Sequence, residues 1–134
     1  MRTLRAVFAM SLVTLLAAPA ATRAQRRAPE LVVEARLVAT PPDMLRCGRV
    51  HAAYVFRYEV VRVVRGRYQG TPIYVAHSCP ELVQTGYGRG LRVGATYRLT
   101  LSSRRPRAWP TPVDPLGQPE LPRWHAIAVR RLSG

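Results

Sequence analysis

Few side chains in this sequence can do chemistry, and their spacing narrows what that chemistry is. Cys47 and Cys79 are the only cysteines, and Cys47-x3-His51 and His77-x-Cys79 set two imidazoles beside them. Three arrangements are open to this set: a Cys47–Cys79 disulfide, a four-ligand zinc site of Cys47, His51, His77 and Cys79, or two free thiols. The residue types suit zinc, with His77 and Cys79 on one face of a strand, but the spacings match no common finger. Export from the cytoplasm favours the disulfide. Gly86-Tyr87-Gly88-Arg89-Gly90 has the glycine density of a phosphate cradle. It opens no helix within a βαβ unit and lacks the Lys-Ser/Thr of a P-loop, so it reads as a surface turn. No G-x-S-x-G or H-E-x-x-H motif occurs, and the 7 acidic residues are scattered. Glu59 and Glu81 are the carboxylates to weigh as a catalytic pair, and each is more simply an ion partner for Arg. No cofactor is expected. Catalysis is the second functional reading: a small extracytoplasmic hydrolase whose catalytic residues the sequence does not single out.

The other reactive feature is charge. All 21 basic residues are Arg, giving a formal net charge of +14. Arg can be written with GC-rich codons and Lys cannot, so the absence of Lys points to a GC-rich, bacterial genome and assigns part of the charge to codon usage. The positive field is nonetheless real, and such a field attracts anionic partners. Two groups combine Arg with aromatic rings: Arg57, Arg62, Arg65 and Arg67 with Tyr68 and Tyr74, and Arg104, Arg105 and Arg107 with Trp109. Arg beside exposed aromatics grips anionic polymers or sugars. The plainer reading is solubility charge with half-buried tyrosines. Outside the cytoplasm, an anionic polysaccharide or an acidic protein suits this surface better than nucleic acid. The first functional reading is therefore an exported, non-catalytic binding or interaction module.

The elements that must position these residues follow from hydrophobic period. Arg2 and Arg5 precede an uncharged run from Ala6 to Ala18 and the small residues Ala20, Ala21 and Thr22, the pattern of a signal peptide. The run is short of the ~20 residues a spanning helix needs. Cleavage after Ala24, preferred over Ala20, makes 1–24 the leader and 25–134 one domain, secreted or periplasmic. Residues 31–38 alternate, with Leu31, Val33, Ala35 and Leu37 opposite Glu34 and Arg36. Residues 53–65 are dense in β-branched and aromatic side chains. Their apolar face switches sides at Val60–Val61, which requires a β-bulge. Gly66 and Gly70 bracket a turn before the returning strand 72–78. Pro80 and Glu81 suit one helical turn, and the glycines at 86, 88 and 90 stop anything longer. Strands over 95–102 and 124–131 follow, the latter with His125, Ile127 and Val129 on one face. Between them the prolines of 106–122 exclude a helix or central strand and make a long surface loop carrying Trp109. Five strands, mostly meandering and one bulged, predict an all-β fold: a small five-stranded barrel with at most one short helix, an open sandwich being the alternative.

Val60, Val63 and Gly66 form a V-x-x-V-x-x-G pattern, Cys79 closes the next strand, and Gly94 and Tyr97 form G-x-x-Y. Over residues 31–101 this resembles the netrin-like modules, oligonucleotide/oligosaccharide-binding-type barrels that include the tissue inhibitors of metalloproteinases. The resemblance implies a barrel and a secreted setting, with the face of the second and third strands as binding surface. It does not bring the inhibitory mechanism, in which an N-terminal Cys meets the target's zinc, because the mature chain expected here would begin at Gln25. The Pro-rich stretch departs from the family pattern.

Overall fold

A computed structural model describes residues 30–116 and 123–132; the segment 1–24 expected to be a leader and residues 117–122 of the Pro-rich loop lie outside the described residues. Five strands, β1 (Glu30–Ala39), β2 (Ala53–Arg65), β3 (Pro72–Ser78), β4 (Thr96–Ser102) and β5 (Arg123–Arg131), close a barrel in the order β1-β2-β3-β5-β4. A single 3-10 turn, Pro80–Leu82, follows β3. The all-β barrel expected from the periodicity is the fold observed. The connection is less of a meander than expected, because β3 meets β5 in parallel and β4 returns to pair with β1.

Alternation fills the interior. Leu31, Val33, Ala35 and Leu37 of β1 meet Phe56 and Tyr58 of β2, Ile73 and Val75 of β3, and Tyr97, Leu99 and Leu101 of β4. β2 has to turn from β3 to β1 along its length. Residues 53–59 pair with β3, and residues 57–65 pair with β1. The register slips between Glu34 and Ala35, leaving Val61 as an extra residue, 66% exposed. This is the bulge that the switch at Val60–Val61 requires, and a second slip isolates Val64. At the end of the strand Gly66 has φ +88°, and a Cβ there would lie 3.0 Å from the Glu30 carbonyl oxygen. The glycine of V-x-x-V-x-x-G therefore serves both the turn and the close approach of β1.

Strict alternation fails in β5. Thr100 pairs with Ala128 and Leu101 with Ala126, so Ile127 is squeezed out and is 55% exposed. Trp124, Ala126 and Val129 face the core, whereas His125 faces outward. The shared face of His125, Ile127 and Val129 read from the sequence is broken by this bulge.

One polar pair is sealed inside. The Tyr58 hydroxyl and His77 Nε2 lie 2.9 Å apart, with Phe56 packed edge-on against the imidazole. Burial holds the His77 imidazole down to about 3 from its ordinary 6.5, and burial pushes the Tyr58 phenol up. The folded barrel thus refuses a proton that the unfolded chain accepts below about 6.5. The sign follows: stability is complete above that value and is lost progressively as pH falls toward 3. Each pH unit of that window is worth about 1.4 kcal/mol, several kcal/mol in total. Urea unfolding should show the midpoint dropping from about pH 7 to about pH 5, with the Tyr58→Phe/His77→Phe double variant much flatter over the window that linkage defines. An equal slope in that variant would exclude His77 as the source.

Candidate functional site

The loop after β4 does not hang free. Trp109 sits edge-on to His125 at 6.1 Å, and Trp109 and Leu116 pack on Val55, Tyr74 and Ala76, the outward face of β2 and β3. Val113 exchanges backbone hydrogen bonds with Ala53 and Val55. It thereby occupies the edge of β2 that β1 leaves beyond Ala39. The Asp114 carboxylate accepts the Arg123 guanidinium at 2.6 Å, and Arg105 donates to the Trp109 carbonyl at 2.8 Å. The Pro-rich segment is a strap across the barrel wall.

This changes the reading of the hairpin face. Tyr74 is only 5% exposed beneath the strap and does not reach a ligand; Trp109 is half-buried as its cover. The Tyr68 hydroxyl donates to the Pro72 carbonyl. Arg65 is paired with Glu30, and Arg62 with Glu34. Glu34 also takes Arg98 at 2.6 Å, so one carboxylate bridges three strands. The two guanidiniums hold its carboxyl down to about 2. Arg36 pairs with Glu59, which removes Glu59 from any catalytic pair with Glu81. Of the Arg residues singled out by sequence, Arg57, Arg67, Arg104, Arg105 and Arg107 are exposed without a carboxylate partner among the described residues. They are divided between the mid-wall, the β2–β3 turn and the strap, and so form no single patch.

The opposite end of the barrel is assembled differently. The connections 40–52 and 79–95 meet the end of β5 there, and Cys47 and Cys79 join as a disulfide with Cα atoms 5.5 Å apart. The zinc arrangement does not form: the sulfurs are bonded to each other, His77 is turned into the barrel against Tyr58, and His51 Nε2 lies 2.5 Å from Ser78 Oγ. Glu81 accepts the Cys47 N–H. The Gly-rich segment is a tight hairpin: Gln84 bridges Arg89, Thr85 N–H donates to Gly88, and Gly90 N–H donates to Val83. It is the turn expected, yet it is not idle. It brings Arg89 to a recess of about 400 Å³ shared with Glu81 and floored by Met44, Phe56 and Leu91. On its other side Tyr87 lines a second recess with Arg130 and Arg131. Arg46, Arg49 and Arg92 are exposed on the same end, and none of these six Arg residues has a carboxylate partner among the described residues. Sequence reasoning missed this cluster because its members come from three segments that only the disulfide and the barrel bring together.

Alongside, β3 and β5 pair only over Tyr74–Ala76 and then diverge. A cleft of about 460 Å³ opens between them, lined by Ser78, Gln84, Trp109 and Ile127. Among the described residues no helix is long and apolar enough to cross a membrane. Comparison of the chain with protein families, curated proteins and solved structures finds no match.

Two stability measurements test this arrangement. Replacing both cysteines by serine should cost about 3–4 kcal/mol in urea unfolding, the chain-entropy value for a loop of this length. Trp109→Ala should cost about 1–3 kcal/mol, less than a fully buried aromatic, and should make the strap the first site of limited proteolysis. Unchanged stability and cleavage would show that the strap does not hold the wall.

Proposed function

We propose that this protein is an exported, non-catalytic module that binds an anionic polysaccharide at the disulfide-pinned end of its barrel. The observation that carries this reading is the segregation of charge. Carboxylates pair with Arg36, Arg62, Arg65 and Arg98 along the wall, and the unpaired Arg57, Arg67, Arg104, Arg105 and Arg107 are scattered, whereas Arg46, Arg49, Arg89, Arg92, Arg130 and Arg131 gather at one end without carboxylate partners among the described residues. Codon usage accounts for the number of Arg residues and not for which of them acquire acids. Guanidinium groups spread over two loops and a strand end make a field that suits a flexible polyanion better than one small anion. The disulfide suits an oxidising compartment. The likeness to netrin-like modules enters this proposal at the level of architecture only.

Immobilised heparin is the probe. The protein should bind at low ionic strength and elute with a steep salt dependence. Arg46→Gln/Arg49→Gln and Arg130→Gln/Arg131→Gln should each shallow that dependence, by roughly one unit of slope per contact removed. Arg36→Gln, at an ion-paired position on the wall, should leave it unchanged. Equal losses from wall and end variants would reduce the interaction to net charge and overturn the site. Turnover of an ester, glycoside or peptide substrate, abolished by a single acidic or His substitution, would replace this reading with a hydrolase.

A further inference from the structure

We infer that the recess beside the disulfide binds a small zwitterion with an apolar body, the chemistry of a free apolar amino acid, with Glu81 taking the ammonium group and Arg89 the carboxylate. The recess holds about 400 Å³, within the range of roughly 300–1,000 Å³ usual for small-ligand sites. Its floor and sides are apolar: Met44 from the 40–52 connection, Phe56 from β2, and Leu91 and Val93 beyond the hairpin. One acidic and one basic residue, Glu81 and Arg89, line it, and no ion pair joins them. A polyanion would be repelled by Glu81 here, so this ligand differs in class from the polymer proposed for the surrounding Arg residues and the inference does not rest on that reading.

Both charges are carried on stiff backbone. One Glu81 oxygen accepts the Cys47 N–H, and Cys47 is bonded to Cys79, two residues before Glu81. Cys79 sits in the left-handed region at φ 45°, and the buried Pro80 begins the turn that carries Glu81. Bond, turn and hydrogen bond therefore make a short ring that orients the carboxylate and leaves its second oxygen for a donor. Arg89 is placed by the hairpin, through its bridge to Gln84 and the Gly90–Val83 hydrogen bond. A Cβ on Gly90 would sit 3.7 Å from the Glu81 carbonyl oxygen, so hairpin and turn lie in contact. Opposite charges that line one apolar recess without pairing match an ammonium and a carboxylate on one small molecule. The ordering is done before the ligand arrives.

Titration calorimetry of the oxidised full chain tests this with leucine, phenylalanine, glycine, N-acetyl-leucine and leucinamide. Leucine or phenylalanine should bind, and glycine should bind more weakly for want of contact with the floor. Capping either end should weaken affinity by about tenfold to a hundredfold, the loss of one charge-assisted hydrogen bond. Glu81→Gln should lose affinity to the same degree and become indifferent to N-acetylation, and Arg89→Gln likewise to amidation. Arg89 is exposed on its hairpin, so Arg89→Gln keeps the test decisive if Glu81→Gln loosens the disulfide loop. No heat with any uncapped amino acid, or affinity indifferent to both caps, would overturn the inference. Heparin elution of Glu81→Gln reads separately: Glu81 takes no part in polyanion binding, so this variant should lose leucine and keep heparin, whereas loss of heparin binding alone by Arg46→Gln/Arg49→Gln would bear only on the polymer site.

Discussion

Strand β2 is asked to belong to two sides of a barrel at once, and the rest of the molecule is arranged around how it does so. Its first half pairs with β3 and its second half with β1. A flat strand cannot serve both neighbours without carrying its side chains to the wrong face. The extra residues at Val61 and Val64 bend it and restore inward register for Tyr58 and for the β1 partners Val33 and Ala35. β1 ends at Ala39, opposite Arg57, and a backbone edge near Ala53 and Val55 is left to be satisfied. Val113 satisfies it. The strap thus answers a β2 that outruns β1: an exposed sheet edge invites pairing with another chain, and residues around Val113 cover it.

Charge is distributed by the same geometry. Where strands lie side by side, β1 carboxylates fall opposite Arg on both neighbours, and Glu34 between Arg62 and Arg98 is the centre of that lattice. Exposed pairs of this kind contribute little each. Glu34, with its carboxyl 13% exposed and shared by two guanidiniums, differs from them by acting as a clamp across three strands. With these pairs formed along the wall, the Arg residues left without carboxylates gather most densely at the connections and the end of β5, and the others are scattered over β2, the β2–β3 turn and the strap. A chain rich in Arg from codon usage still has to place its few acids, and the three in the sheet, Glu30, Glu34 and Glu59, each meet an Arg of a neighbouring strand.

The strands were legible because alternation is a local property. LVVEARLV and TYRLTLS each reveal an inward face in a few residues, and the switch at Val60–Val61 was visible as a break in that alternation. The β5 bulge was not, because Ile127 reads as a good inward residue and is expelled only by its pairing with β4. Tyr74 was misread as an available ring for a similar reason. Both faces of β3 are buried, one by the core and one by a segment some forty residues later in the chain. Nothing local announces such a cover, although Trp109 and Leu116 among the prolines supply its apolar contacts. The Arg cluster at the disulfide end is harder still, since Arg46, Arg92 and Arg131 share no period, strand or motif.

The disulfide is where folding and site converge. A cross-link stabilises a small domain chiefly by limiting the unfolded chain, and for that purpose many positions would serve. This one joins the two connections that the barrel leaves long and unpaired, 40–52 and 79–95, at the end away from the β2–β3 turn. Loops without ladders are ordinarily the mobile part of a β domain, and a recess formed by two of them would have no fixed shape. Tying Cys47 to Cys79 makes both loops extensions of the barrel wall, and the Cys47 N–H then fixes Glu81. Reduction would therefore act on the recess before it acts on the core, where Cys47 packs only at the margin of a cluster whose Tyr58, Phe56 and Tyr97 rings come from the strands.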